Sequence, residues 1–183
     1  ETRGLVHARA VEWRQRSASR VPPQCPVYEQ CGGCHYQHIP YADQLDYKRQ
    51  VLVETLARVG KVEWSGEIKI VSGQPWGYRN RTHLRVAKKG RQNTAVGFMA
   101  PASHRLVAAD ACPINAPLLD QAHEALLKMS ADRRFPKSLR EIEFFTNDTD
   151  LQVNILESDP PSIQRFFSWC EEVIPGFSSG DSI

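Results

Sequence analysis

The spacing of apolar residues predicts one long helix in the first third of the chain. Between residues 41 and 59, apolar positions recur at the interval of a helical turn. These positions are Leu45, Leu52, Leu56 and Val59, and Gly60 is well placed to end the helix.

Short β-type runs fill most of the remaining chain. They occupy residues 67–71, 81–87, 94–99, 105–109, 139–145 and 151–157. Turn-like segments such as KKGRQN and TNDTD separate the later runs, so antiparallel hairpins are predicted. Two further helices are predicted, one from Asn115 or Pro117 to about Ser130 and one from about Ser162 to Val173. Together these elements predict an α+β fold in which helices pack against an antiparallel sheet.

Residues 5–13 alternate as a single strand that stands apart from the other runs. A lone strand cannot bury its own apolar face, so we expect it to be the last strand of a domain whose beginning is absent. Residues 14–23 are polar, contain prolines and are interpreted as a linker. The chain opens on Glu1, not methionine, which favours a piece of a longer protein.

Charge is distributed unevenly along the chain. The formal net charge is +2, but residues 1–110 carry 17 Lys and Arg against 9 Asp and Glu, whereas residues 111–183 carry 6 against 12. A basic half favours a polyanionic partner such as nucleic acid, and an unevenly charged solvated surface is the alternative. No apolar run approaches the roughly 20 residues of a membrane span, so no membrane partner is predicted.

Three of the 5 cysteines lie close together in CPVYEQCGGCHYQH. An odd cysteine count without a secretory signal argues against a disulfide framework and favours a reducing, cytoplasmic setting. Cys25, Cys31 and Cys34 then predict a metal site, with Cys112 as a fourth ligand from a distant turn. A single tight knuckle with two outlying cysteines suits an iron–sulfur cubane better than zinc, which is the alternative.

Other residues near these cysteines are given lesser roles. Gly32 and Gly33 would let backbone amides approach the cluster sulfurs. His35 and His38 are expected beside the cluster or at the surface, not as ligands. Cys170 lies in FFSWCEEV, where apolar neighbours predict core packing and two adjacent glutamates would raise its pKa.

A second informative stretch, WGYRNRTHLRVAKKGR, is strongly basic. If it is a strand, alternation places cations along one face, which cannot be a core surface. The members of this face are Arg79, Arg81, His83 and Arg85, followed in the turn by Lys88, Lys89 and Arg91, with Trp76 and Tyr78 at the entrance. Cations flanked by aromatic rings suit a folded RNA strand, whereas an ordinary solvated face would mix both charge signs.

Three segments together resemble the RNA (uracil-5-)-methyltransferase family. They are CPVYEQCGGCHYQHIPYADQLDYKRQ, PWGYRNRTHLRV and VGFMAPASHRLVAADACPI. The resemblance is to the iron–sulfur branch typified by bacterial 23S rRNA enzymes. It implies that Cys25, Cys31, Cys34 and Cys112 hold a [4Fe-4S] cluster. It also implies S-adenosylmethionine as the methyl donor, bound in the full-length protein and outside this chain.

The resemblance further implies a domain order. Residues 1–13 would end an N-terminal TRAM domain of the OB type, and residues 14–40 would form the linker and iron–sulfur knuckle. Residues 41–60 would be a connecting helix that packs on the catalytic domain, and residues 61–183 the central RNA-binding α+β domain.

The implied function is that of a fragment. The chain has no glycine-rich strand-to-helix turn, so we expect it to be inactive alone. The resemblance implies that its role is to position rRNA or tRNA for methylation of uridine C5. Separated from its TRAM and methyltransferase domains, it would be prone to self-association. The alternatives are a stand-alone zinc-binding RNA module without enzymatic activity, and a redox carrier, which the absence of a ferredoxin-type C-x2-C-x2-C run disfavours.

Overall fold

The computed structural model describes residues 4, 6, 8, 11–89, 93–158 and 163–182. Their elements are α1 Tyr41–Arg58, β1 Arg81–Lys89, β2 Asn93–Met99, β3 Leu106–Ala108, α2 Pro117–Ser130, β4 Leu139–Thr146, β5 Leu151–Ser158, α3 Gln164–Val173 and β6 Phe177–Ser182. The predicted α+β class is confirmed, and the predicted helices and hairpin strands lie within a few residues of their expected bounds.

The strands of the described part of the chain form one sheet of 6 strands in the order β3-β2-β1-β4-β5-β6. The neighbours are antiparallel except β5 and β6, which are parallel. A parallel pair needs a crossover, and α3 provides it between β5 and β6. Because β1 and β4 are adjacent in the sheet, residues about 60 positions apart in the chain stand side by side.

One face of the sheet is covered by helices and forms the core. Leu84 on β1 and Phe144 on β4 point to this face and are fully buried, together with Leu119 and Leu126 of α2. Strand alternation then turns the odd-numbered residues of β1 to the opposite face, which no described helix covers. We call that uncovered side the outer face of the sheet.

Two strand assignments differ from the sequence prediction. Residues 67–71 form no strand, and Val71 is 98% exposed, because none of the described strands pairs with this run to supply the hydrogen bonds that a strand needs. Conversely, β6 was not predicted, since FSSGDS lacks β-branched residues. It forms by pairing with β5, and a Cβ at Gly180 would lie 2.3 Å from the ring of Phe167, so this packing requires glycine.

The segment before the sheet has little core of its own. Helix α1 forms where predicted, but none of its residues is buried, so its apolar side does not pack on the sheet. Much of the predicted strand at residues 5–13 lies outside the described residues, and residues 11–13 are not in a strand. None of the helices within the described ranges is long and apolar enough to cross a membrane.

Candidate cysteine site and charged surfaces

Four cysteines from two separate segments line one cavity. Cys25, Cys31 and Cys34 come from the irregular segment before α1, and Cys112 comes from the turn between β3 and α2. All four are half-buried free thiols. The cavity among them holds about 20 Å³, room for roughly one water molecule, so a larger group would have to move the sulfurs apart. We call it the cysteine cavity.

Backbone hydrogen bonds hold the two segments in place. The Cys25 amide donates to Gln37 Oε1 at 3.1 Å, and the Cys112 amide donates to Asp120 Oδ1 at 3.1 Å in the first turn of α2. The Gly32 amide donates to the Met99 carbonyl at 2.9 Å. These bonds fasten the cysteine segment to the end of β2 and fix Cys112 to the start of α2.

The two glycines between Cys31 and Cys34 play different parts. The Gly33 amide lies 3.4 Å from the Cys31 sulfur, as expected for an amide that approaches a cluster ligand. Gly32 instead packs against backbone, because a Cβ there would lie 3.2 Å from both the Met99 carbonyl oxygen and the Pro101 nitrogen. Of these two amides, that of Gly33 lies near a cysteine sulfur, whereas that of Gly32 is bonded to Met99.

Arg79 lines the cysteine cavity and does not continue the outer face. Its amide donates to the Ile114 carbonyl at 2.8 Å, and its carbonyl accepts from the Ala116 amide at 2.8 Å. This short bridge to the segment after Cys112 precedes β1, so the alternation of the strand does not extend back to Arg79. The prediction that Arg79 shares a face with Arg81 is therefore wrong.

The electrostatics of the cavity follow from this placement. Burial raises the pKa of the Cys31 and Cys112 thiols. Backbone hydrogen bonds and the charge of Arg79 act in the opposite direction on the pKa of both groups. Arg79 is the one charged side chain among the described residues that line the cavity. Thiolates formed here would therefore have a single adjacent cation.

Cys170 lies outside the cysteine cavity, and so do His35 and His38. Cys170 is fully buried in the core, as predicted, and burial raises its pKa to about 12, without a contribution from the adjacent glutamates. His38 Nδ1 lies 2.7 Å from the Tyr28 hydroxyl, and His35 lines the neighbouring cleft. Neither histidine is among the described residues that line the cysteine cavity.

Trp76 and Tyr78 line an open cleft beside the cysteine cavity. The cleft, of about 730 Å³, also contacts Cys34, His35 and Lys48. Tyr78 is 61% exposed. The two aromatic residues therefore lie next to the cysteine segment and α1.

On the outer face, the predicted cations are paired with carboxylates. Arg85 Nη1 lies 3.2 Å from Glu141 Oε2 and also contacts Glu157. His83 contacts Glu143, and Arg81 Nε lies 3.7 Å from the same carboxylate. This face therefore mixes both charge signs, although β1 by itself is purely basic.

Glu143 is the centre of that network. Its side chain is only 8% exposed, and Asn154 Nδ2 donates to its Oε1 at 2.9 Å. Partial burial acts to raise its pKa, but hydrogen bonds from Asn154 and His83 and the charge of Arg81 outweigh it, so the pKa lies below its ordinary value.

The last predicted cations lie away from the outer face. Lys88 is on β1, two residues beyond the buried Val86, so alternation places it on the helix-covered side. It lines a cleft with Phe135 and Leu139. The side chain of Lys89 and the whole of Arg91 lie outside the described residues. The stretch predicted as one surface thus contributes to several.

Comparison with known proteins identifies the family. No family model matches the chain. A 23S rRNA (uracil(1939)-C(5))-methyltransferase, RlmD, of Halomonas elongata is 37% identical over 132 residues, covering 72% of this chain and 27% of its own length. The enzyme of the same name from Methylococcus capsulatus is 34% identical over 163 residues, covering 86% of this chain and 36% of its own length.

This chain belongs to the RNA (uracil-5-)-methyltransferase family.

A solved structure from this family shares the fold. It is the Pyrococcus abyssi tRNA (uracil-54, C5)-methyltransferase in complex with S-adenosyl-L-homocysteine, which aligns with a TM-score of 0.55 at 23% identity. The alignment covers 81% of this chain and 34% of that one. The chain thus spans about a third or less of the length of its relatives in this family.

The carboxylates that face the basic strand were not predicted from the sequence. Glu141 and Glu143 alternate along LREIEFF in the same way as the cations along β1. This alternation is visible in the sequence. The sequence does not show, however, that β4 pairs with β1. The register of this pairing places Glu141 opposite Arg85 and Glu143 opposite His83, which determines which charges meet.

Proposed function

We propose that this chain is the RNA-positioning and [4Fe-4S]-carrying part of an S-adenosylmethionine-dependent RNA m5U methyltransferase of the cytoplasm. The printed names of its relatives support uridine C5 of RNA as the target, with rRNA favoured and tRNA as the other substrate class. The observation that carries the proposal is the convergence of four thiols from two segments on one cavity, in a chain of this family.

The donor set of the cysteine cavity suits an iron–sulfur cluster. Thiolates are the ligands that such clusters take, and four are available in Cys25, Cys31, Cys34 and Cys112. Within the described ranges, no group of three or more His, Cys, Asp or Glu is placed to hold a metal as it stands, so the sulfurs would have to move to bind either a cluster or zinc. A cubane spreads its thiolates over four irons, and the uneven spacing of the four cysteines along the chain favours it over zinc.

The proposed cluster acts as a structural tie. It would link the segment before α1, which is bonded to the end of β2 through Gly32, to the turn that begins α2, where Cys112 is bonded to Asp120. Arg79 would offset part of the negative charge of four thiolates, and the Gly33 amide would stabilise the Cys31 sulfur. Methyl transfer moves no electrons, so the proposal gives the cluster no redox role.

The proposed RNA contacts are spread over several surfaces. They comprise seven of the eight residues predicted from the sequence, Trp76, Tyr78, Arg81, His83, Arg85, Lys88 and Lys89, and leave out Arg79, which lines the cysteine cavity. Trp76 and Tyr78 are suited to stack unpaired bases in the cleft beside the cysteine cavity. The outer-face cations would contact phosphates only in competition with their glutamate partners.

Catalysis in the whole enzyme is proposed to lie outside these residues. Methylation of uracil C5 needs a thiolate to add at C6, a base to remove the C5 proton and bound S-adenosylmethionine. Cys170 is no candidate for the nucleophile, because it is buried with a pKa of about 12. We propose that a TRAM domain and a methyltransferase domain act in cis, and that the uncovered apolar side of α1 packs on the latter or, in its absence, on another copy.

Anaerobic purification with iron, sulfide and zinc analysis tests the cluster. We expect about four irons and four sulfides per chain, and a brown absorbance near 400 nm. Cys112→Ser should lose most of the iron, whereas Cys170→Ala, which removes a thiol outside the cavity, should keep it. One zinc per chain without sulfide would reject the cluster and favour the zinc-binding RNA module.

A further inference from the structure

A second cleft lies on the helix-covered side of the sheet, beyond the core. It encloses about 550 Å³ and is lined by residues from β1, the loop after α2 and the start of β4. Its cationic members are Lys88, Arg133, Lys137 and Arg140. We call it the basic cleft.

The basic cleft has almost no negative charge of its own. Asp132 is the one carboxylate among the described residues that line it. That carboxylate is engaged by Arg134, whose Nε and Nη2 lie 3.2 Å and 2.9 Å from its two oxygens. Lys88, Arg133 and Lys137 form no ion pair with any residue that the structure describes.

The cations converge from distant parts of the chain. Lys88 comes from β1, and Arg133 and Lys137 follow α2 about 45 residues later. Gathering like charges in a cleft raises their mutual repulsion and focuses a positive potential, which an anion would relieve. The apolar floor is provided by Phe135 and Leu139, which are 6% and 2% exposed. A plain solvated surface would intersperse both signs.

We propose that the basic cleft binds the phosphate backbone of the RNA that this chain positions. Guanidinium and ammonium groups are the usual partners of phosphate oxygens. Phe135, the one aromatic residue among the described residues that line the cleft, is buried, so this lining offers no ring to stack a base. The contact is therefore independent of sequence, and it rests on the proposed function only for the identity of the anion as RNA.

RNA affinity measured over a range of salt concentrations tests this site. The probe is a fluorescein-labelled RNA hairpin with a uridine-containing loop, titrated with the 183-residue chain by fluorescence anisotropy. The test variant is Lys88→Gln/Arg133→Gln/Lys137→Gln. The control, Lys61→Gln/Lys69→Gln/Arg165→Gln, removes the same charge from exposed positions outside the cleft.

The test variant should bind roughly 10- to 100-fold more weakly at 50 mM salt, and its salt slope should fall by about 2, as for three lost phosphate contacts. Equal weakening in the control would assign the effect to net charge and overturn the inference, as would unchanged binding in the test variant. If the unaltered chain binds no RNA hairpin, the proposed function fails as well. If it binds and only the cleft variant has no effect, the cleft inference fails alone.

Lysine acylation maps the contact directly. Adding the RNA should protect Lys88 and Lys137 from an amine-reactive reagent, as read by mass spectrometry, and leave Lys61 and Lys69 unprotected. Protection of the control lysines alone would place the RNA elsewhere on the chain.

Discussion

The outer face and the basic cleft carry similar numbers of cations, but they differ in what stands opposite each one. On the outer face, Arg85 and His83 lie across from Glu141 and Glu143 in the register of two paired strands. In the basic cleft, Lys88 and Lys137 face no free carboxylate among the described residues. A dense run of cations in a sequence is therefore a weak guide to an anion site, because strand pairing can neutralise it.

The two regions also differ in what their charges do for the fold. The outer-face network is anchored by the nearly buried Glu143, so its hydrogen bonds are worth more than those of an exposed ion pair. In the cleft, Lys88, Arg133 and Lys137 are exposed and contribute little to stability. We therefore expect substitutions on the outer face to change mainly stability and substitutions in the cleft to change mainly RNA affinity.

The largest stability effect should come from Glu143→Gln. Glutamine keeps an oxygen for Asn154 but removes the charge that His83 and Arg81 face, so unfolding free energy should fall by about 1–2 kcal/mol at pH 7. Lys88→Gln should change it by less than about 0.5 kcal/mol. Urea denaturation of both variants measures their loss of unfolding free energy. Equal losses would contradict the expectation that the outer face contributes more to stability than the cleft.

The stabilising contribution of Glu143 should also depend on pH. Because the pKa of folded Glu143 lies below its ordinary value of 4.5, its contribution is present above about pH 4.5 and is lost as pH falls through the folded pKa. The stability gap between the original chain and Glu143→Gln should therefore narrow in acid. A gap that stays constant from pH 7 to pH 3 would contradict the assigned protonation.

His123, on the helix-covered face, should also make the stability of the fold depend on pH. It is fully buried with its ring 5.9 Å from that of Phe98, and burial lowers its pKa below 6.5. The unfolded chain binds this proton first, so stability should decline below pH 6.5, by at most about 1.4 kcal/mol per pH unit. His123→Leu should flatten that decline in thermal melts between pH 7 and pH 5, and an unaltered slope would assign the pH dependence to other groups.

Removing the outer-face cations should weaken RNA binding less than removing the cations of the basic cleft. Arg81→Gln/His83→Gln/Arg85→Gln should weaken binding of the RNA hairpin only a few-fold, because these groups are already engaged by glutamates. Anisotropy titrations at matched salt, on variants whose melting temperatures are known, make the comparison. Complete loss of binding in a folded variant would make the outer face the principal contact.

The smallest expected effect is a gain. Glu141→Gln/Glu157→Gln removes both carboxylates that engage Arg85, so RNA should bind about two- to three-fold more tightly at low salt. The control, Glu124→Gln/Glu171→Gln, also removes two carboxylates, on α2 and α3 away from the outer face, and should produce a lesser gain. Identical gains would reflect net charge alone.

Much of the local structure could be predicted from the sequence, because its causes are local. The period of apolar residues was sufficient for α1 and the β1–β2 hairpin, and Cys25, Cys31 and Cys34 were close enough in the chain to suggest a common site. Strand β6 could not be predicted, since its pairing with β5 and the fit of Gly180 under Phe167 override a poor strand composition.

The tertiary structure decided which charges meet. Arg79 is drawn away from the other cations by its bridge to Asn115, and Glu143 is brought to His83 across 60 positions of the chain. Alternation along a strand determines only which residues share a face. The partner across from each of them depends on strand order and register, which are fixed by the burial of a core common to distant segments.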